Sequence, residues 1–87
     1  MRQLGWTEES IEDFKKLDKQ VAQRIVKRVL WLCEHFDDIS PETLSGKRKG
    51  EFKFKVGDWR VIYKIETNMI VIHAVGHRSE IYQRGVF

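Results

Sequence analysis

Two lysines one residue apart, Lys53 and Lys55, stand in the alternating run Phe52-Lys53-Phe54-Lys55-Val56, and Arg60 follows shortly after. Alternation of period two puts both lysines on one face of a strand, roughly 7 Å apart. Gly57-Asp58 reads as a two-residue turn with glycine first, as a type II′ hairpin requires. Register across that turn sets Val56 opposite Trp59, Lys55 opposite Arg60, Phe54 opposite Val61 and Lys53 opposite Ile62. Directly opposed residues have Cβ atoms about 4.5–5.5 Å apart. Three cations then share one sheet face with no carboxylate among them, and Phe52, Phe54, Val56, Trp59, Val61 and Tyr63 point to the other face. Like charges placed opposite one another destabilise a sheet, and a bound phosphate would offset that cost. A lysine crowded by cations has its charged form disfavoured and can act as a general base near neutral pH. Its neighbours can stabilise the extra negative charge of a phosphorane-like transition state. The plainer alternative is a solvated strand face, where alternating lysines also protect an edge.

The remaining elements must hold that hairpin in place. Residues 2–6 are expected as a short strand. Thr7 is a helix N-cap with Glu8 and Glu9 at the positive end of the dipole, and Trp6 and Ile11 match a hydrophobic staple. Ile11, Phe14 and Leu17 give a short amphipathic helix over about residues 7–17. Asp18 caps a second helix, with Leu17 and Ala22 as its staple pair. Val21, Ile25, Val29, Leu32 and Phe36 form its stripe, and Ala22, Val26, Leu30 and Cys33 widen it. The two helices are expected as an antiparallel hairpin. Residues 37–50 read as a loop punctuated by Pro41, Ser45, Gly46 and Gly50. After the hairpin strands, Glu66-Thr67-Asn68-Met69 is a second turn. Ile70 to Val75 is apolar enough for a strand flanked on both edges, and Ile81-Tyr82 is expected as a short strand or turn. The order predicts an α+β fold: an N-terminal strand and an antiparallel helical hairpin packed on one face of a small, mainly antiparallel β-sheet.

Composition excludes several classes. With 87 residues the chain is expected to form one domain, residues 1–87, burying roughly 60–65% of its unfolded surface. No apolar run is long enough to span a membrane, and Met1 to Trp6 lacks the apolar segment of a signal peptide. Cys33 is the single cysteine, which fits a reducing cytoplasmic setting. No His, Cys, Asp or Glu group has metal-ligand spacing, so neither a metal nor another cofactor is expected. The net charge of +3 is uneven. Residues 47–64 hold seven basic and two acidic side chains, whereas residues 1–46 hold seven basic and nine acidic. A basic stretch of this kind suggests a polyanion partner.

The run Phe52-Lys53-Phe54-Lys55-Val56-Gly57-Asp58-Trp59-Arg60-Val61-Ile62-Tyr63, followed by Gly76-His77-Arg78 and Ile81-Tyr82, resembles the RelE/ParE superfamily of type II toxins. The resemblance covers nearly the whole chain, including the helical hairpin and the Leu44-Ser45-Gly46 approach to the sheet. RelE-type members cleave messenger RNA in the ribosomal A site, whereas ParE-type members inhibit DNA gyrase and lack the basic set of the nucleases. Similarity to the RelE branch implies two strand lysines, an arginine after the hairpin, another near the end of the last long strand, and a C-terminal tyrosine. Lys53, Lys55, Arg60, Arg78 and Tyr82 fill those positions. RelE itself carries a longer basic loop after the last strand, and other nucleases of the superfamily use a histidine near the C-terminus, so either His77 or Arg78 takes that place.

The resemblance implies a metal-independent, ribosome-dependent endoribonuclease, the toxin of a toxin–antitoxin pair. In the implied reaction a substrate 2′-hydroxyl attacks the adjacent phosphate. The implied roles are Lys55 as base with Lys53 next, Arg60 as a bidentate phosphate clamp, Arg78 or His77 at the leaving oxygen, and Tyr82 against a base. The implied partners are a cognate antitoxin protein, mRNA in the A site and ribosomal RNA. Operator DNA is reached only through the antitoxin complex, and no membrane is involved. The alternatives are a ParE-like gyrase inhibitor and a non-catalytic RNA-binding member.

Other residues have plainer readings beside the functional ones. Lys47-Arg48-Lys49 is either a solvated loop or a contact to RNA backbone. His73 is expected on the face of Ile62 as a packed, hydrogen-bonded residue, and His35 as a structural residue at a helix end. Cys33 reads as a core thiol, Trp6 and Trp59 as core anchors, and Trp31 as a stripe-edge residue that could face a partner.

Overall fold

A computed structural model describes residues 1–44 and 50–83. The Lys47-Arg48-Lys49 triplet lies outside the described residues. The element order is β1 (Gln3–Trp6), α1 (Glu8–Lys15), α2 (Lys19–His35), a 3-10 turn (Phe36–Asp38), β2 (Glu42–Thr43), β3 (Glu51–Val56), β4 (Trp59–Glu66), β5 (Met69–His77) and a second 3-10 turn (Ile81–Gln83). The strands form one sheet in the order β1-β5-β4-β3-β2. Only β1 runs parallel to its neighbour, and the other pairings are antiparallel. The two helices cover one face, giving the α+β fold read from the sequence.

Both helices begin where side-chain capping predicts. The Thr7 hydroxyl accepts the Ser10 N–H at 3.2 Å, and the Asp18 carboxylate accepts the Val21 N–H at 3.0 Å. The expected loop at residues 37–50 holds structure of its own, a 3-10 turn and the two-residue strand β2. Trp6 packs on Phe14, with ring centroids 5.3 Å apart, and Ile11 is 41% exposed. The α2 stripe also divides. Ile25, Val29, Leu32 and Cys33 are buried, whereas Ala22, Val26 and Leu30 join Phe14 along an open groove of about 530 Å³. A stripe this wide has more apolar surface than one sheet face can cover. Among the described residues, no helix is long and apolar enough to cross a membrane.

The core lies between α2 and the sheet, from Leu4 and Trp6 across Ile70, Ile72, Val61 and Tyr63 to Phe52 and Phe54. Burial pushes the Cys33 thiol up, with Glu34 adding to the effect, which suits an inert core position. Tyr63 is 1% exposed and stacks on Phe52 at 5.5 Å. Its phenol is pushed up to about 12, first by burial and then by the nearby Glu42 carboxylate. The unfolded phenol ionises from its ordinary value of 10.0. Between these values the native state therefore holds the extra proton, and stability falls as pH rises. The expected loss is about 1 kcal/mol between pH 9 and 11 and grows further toward pH 12. Urea titrations at pH 9 and 11 should show it in wild type and much less in Tyr63→Phe.

One irregularity sets the position of the C-terminal residues. The β4–β5 register shifts between Ile62 and Tyr63: Tyr63 pairs with Ile72 but Ile62 pairs with Ala74, leaving His73 as an extra residue. Ala74, rather than His73, therefore stands opposite Ile62. Such a bulge reverses which side chains point inward beyond it. The Asp13 carboxylate accepts the Val75 N–H at 3.0 Å just past the bulge, fastening α1 to β5.

Candidate functional site

The β3–β4 hairpin has the register that its spacing predicts. Lys55 pairs with Arg60, Lys53 with Ile62, Phe54 with Val61 and Val56 with Trp59. Gly57 has φ +60° while Asp58 does not share the left-handed region, which fits a type II′ turn. Core packing takes Phe52, Phe54, Val56, Trp59, Val61 and Tyr63 to the helix side. Lys53, Lys55 and Arg60 are left on the open face.

A second small apolar cluster brings the C-terminus to that face. Ile81 is fully buried with Ile62 and Ala74, and Leu44 packs beside them. Its neighbour Tyr82 is 41% exposed, with the Lys53 Nζ 5.9 Å from the ring centroid. Lys53, Lys55, Arg60 and Tyr82 are thus gathered on one surface. Arg78 stands at the hairpin tip, where its N–H donates to the Asp58 carbonyl at 2.8 Å and its Nε lies 3.6 Å from Asp58 Oδ1.

His77 goes elsewhere. It pairs with Trp59 across β4 and meets that ring edge-on at 5.4 Å, on the helix side. The bulge at His73 is the physical reason, since unbroken alternation would carry His77 to the open face. Its Nδ1 accepts the Ser79 N–H at 3.2 Å, leaving the proton of the neutral ring on Nε2. His73 lies with Nε2 3.9 Å from Glu66 Oε2. His35 Nδ1 donates to the Trp31 carbonyl at 2.9 Å, the structural role expected for it.

The electrostatics differ from expectation in one respect. The cation face does hold a carboxylate: Glu42, on β2, lies 3.7 Å from Lys55 Nζ and 4.0 Å from Lys53 Nζ. β2 pairs Glu42 directly with Lys53, and a two-residue strand has no period to reveal it. Lys53 and Lys55 are therefore not surrounded by cations alone. Lys64, further along the face, is paired with the buried Glu51 at 3.9 Å. Arg60 donates through Nη1 to the Gly57 and Trp59 carbonyls, both at 2.9 Å, which fixes its guanidinium at the turn. Among the described residues, no three His, Cys, Asp or Glu side chains come together in a way that could hold a metal ion.

Sequence reasoning also passed over Arg24 and Arg28, spaced to share one face of α2. Arg28 lines a cleft of about 270 Å³ with Trp31, Phe54, Glu42, Lys53 and Lys55. Trp31 stacks on His35 at 4.6 Å and lies parallel to Phe54 at 6.4 Å, so it packs within the protein at the cleft wall.

Comparison with known proteins covers the same elements. The family model of the ParE toxin of type II toxin–antitoxin systems matches residues 4–82. A protein of Escherichia coli described as a RelE-like toxin is 27% identical over 89 residues, covering 92% of this chain and 88% of that protein. Among solved structures, the RelBE2 toxin–antitoxin complex of Mycobacterium tuberculosis has a chain with TM-score 0.78 and 22% identity, covering 88% of this chain and 98% of that one. The isolated E. coli RelE toxin gives TM-score 0.74 and 23% identity, covering 99% and 96%. The family match begins in the first strand and ends at the tyrosine beside the cation face, and by it the chain belongs to the RelE/ParE superfamily of type II toxins.

Proposed function

We propose that the protein is a ribosome-dependent mRNA endonuclease, working in the cytoplasm and held in check by a cognate antitoxin. The observation that carries the reading is the joint placement of Lys53, Lys55, Arg60 and Tyr82 on the sheet face the helices leave open. The reaction is in-line attack of a 2′-hydroxyl on the adjacent phosphorus. The P–O5′ bond breaks, giving a 2′,3′-cyclic phosphate and a 5′-hydroxyl, so one proton leaves the attacking oxygen and one reaches the leaving oxygen. Lys55, with Lys53 beside it, serves the attacking oxygen, and the phosphate displaces Glu42 from between their ammonium groups. Arg60 clamps the phosphate oxygens from a guanidinium already fixed by two carbonyls. Arg78 lies at the same end of the hairpin as Arg60 and serves the leaving oxygen, while His77 faces Trp59. Tyr82 orients a base. Lys47, Arg48 and Lys49 contact ribosomal RNA backbone, and operator DNA is met only through the antitoxin complex.

Primer extension on mRNA in a translating extract tests this reading. Wild type should cut at ribosome-occupied codons, and the Lys55→Ala/Arg60→Ala double variant should leave the message intact. Intact message with both proteins would reject the nuclease. A second reading, inhibition of DNA gyrase, is favoured by the match to the ParE family model. Intact message with blocked supercoiling would establish it.

A further inference from the structure

The turn at Gly57-Asp58 gathers three arginines. Arg60 donates to the Gly57 carbonyl, and Arg78 approaches the Asp58 carboxylate. From the helix side the Arg24 guanidinium fills the space a Cβ on Gly57 would need. Asp58 is the one carboxylate in that turn. One helical turn beyond Arg24, Arg28 rests its guanidinium 4.7 Å from the Trp31 ring centroid and 5.5 Å from that of Phe54. Its cleft also carries Lys53 and Lys55, with Glu42 between them as its one carboxylate. Among the described residues, neither Arg24 nor Arg28 has an ion-pair partner. β2 pairs only with Phe52 and Lys53, so no described strand covers the β3 edge from Phe54 to Val56. The positive surface therefore continues from the open face, around the hairpin tip and this bare edge, onto α2.

We propose that a single-stranded RNA substrate wraps the tip and free edge of the β3–β4 hairpin, with Arg24 and Arg28 holding backbone phosphates that flank the reacting one. The proposal rests on the nuclease reading of the open face and extends its substrate path. Stacked guanidinium groups keep their edge N–H donors available for phosphate oxygens. A continuous cationic track is the electrostatic footprint of single-strand binding. A short oligonucleotide lying on Lys53, Lys55 and Arg60 does not reach α2, so these two arginines act only on longer strands.

The test uses fluorescent 2′-O-methyl RNA, whose blocked hydroxyl prevents cleavage, as a dodecamer and a trimer. Binding is followed by anisotropy at several salt concentrations. Arg24→Ala/Arg28→Ala should weaken the dodecamer at least about tenfold and lower the salt slope by about 1.4, from two lost contacts at roughly 0.7 each. Trimer binding should stay within about threefold, as should dodecamer binding by Lys19→Ala/Lys27→Ala, which removes equal charge beside the α2 groove. Arg24→Gln/Arg28→Met keeps side-chain length and packing, and must reproduce the loss in a protein with an unchanged thermal melt.

Four results would overturn the proposal. These are wild type that does not bind the dodecamer, arginine variants that bind it as wild type does, an equal loss in the lysine control, or an equal loss for the trimer. Loss of binding to an oligoglutamate peptide with RNA binding intact would also overturn it and assign the surface to an acidic protein. Failure of the nuclease reading is separately visible, because Lys55→Ala/Arg60→Ala would then leave the primer-extension pattern unchanged.

Discussion

Arg60→Ala is expected to slow single-turnover cleavage about 10²–10³-fold, the usual cost of removing one preorganised donor from a charged transition state. The size of the effect follows from how Arg60 is held. Two carbonyls fix its Nη1 at 2.9 Å, so the remaining donors of the planar group point without further ordering. A lysine there keeps the charge but loses the fork, and Arg60→Lys should recover only part of the rate. The arginine is only half-buried, so the thermal midpoint should move by less than about 4–8 °C. Cleavage and melting measured on the same preparations check the prediction. A rate unchanged in Arg60→Ala, or lost only together with the fold, would remove Arg60 from the chemistry.

Ile81→Ala should damage both the fold and the candidate site. Ile81 is fully buried against Ile62 and Ala74 on the face with no helix cover. Truncating such a side chain costs about 2–5 kcal/mol. For a domain of this size that lowers the melting midpoint by roughly 8–40 °C. The same change loosens the turn that places Tyr82 beside Lys53, so cleavage should fall even at temperatures where the protein stays folded. Ile81→Val should cost only about 0.5–1.5 kcal/mol and keep activity. Tyr82→Ala separates the two effects, lowering cleavage with little change in the melt.

The hairpin register could be read from the sequence because period two and a two-residue turn leave one solution, and that solution carries Lys53, Lys55 and Arg60 together. The helix starts were legible for a similar reason, since Thr7 and Asp18 each satisfy an N–H that the helix cannot. Glu42 was hidden because its strand is two residues long and its partner lies across a loop. The choice between His77 and Arg78 stayed open in the sequence because one extra residue at His73, which no local pattern announces, turns His77 toward Trp59. Ile81 reads as an ordinary apolar residue until Ile62 and Ala74 are seen to open a patch beneath it. Arg24 and Arg28 share one helix face by their spacing, but what they flank depends on the Gly57 turn that Arg24 meets and the Trp31 and Phe54 rings under Arg28.

Among the described residues, the parallel pairing of β1 with β5 joins the first strand to the last. Chains leave the ribosome N-terminus first, and contacts so distant in sequence form late. Gln3 to Trp6 must therefore wait for Met69 to Ile72, and the face bearing Lys53 waits longer still, for Ile81 to seat against Ile62. The topology thus acts as a timer: the surface bearing Lys53 is assembled only after residues as late as Ile81 have been made.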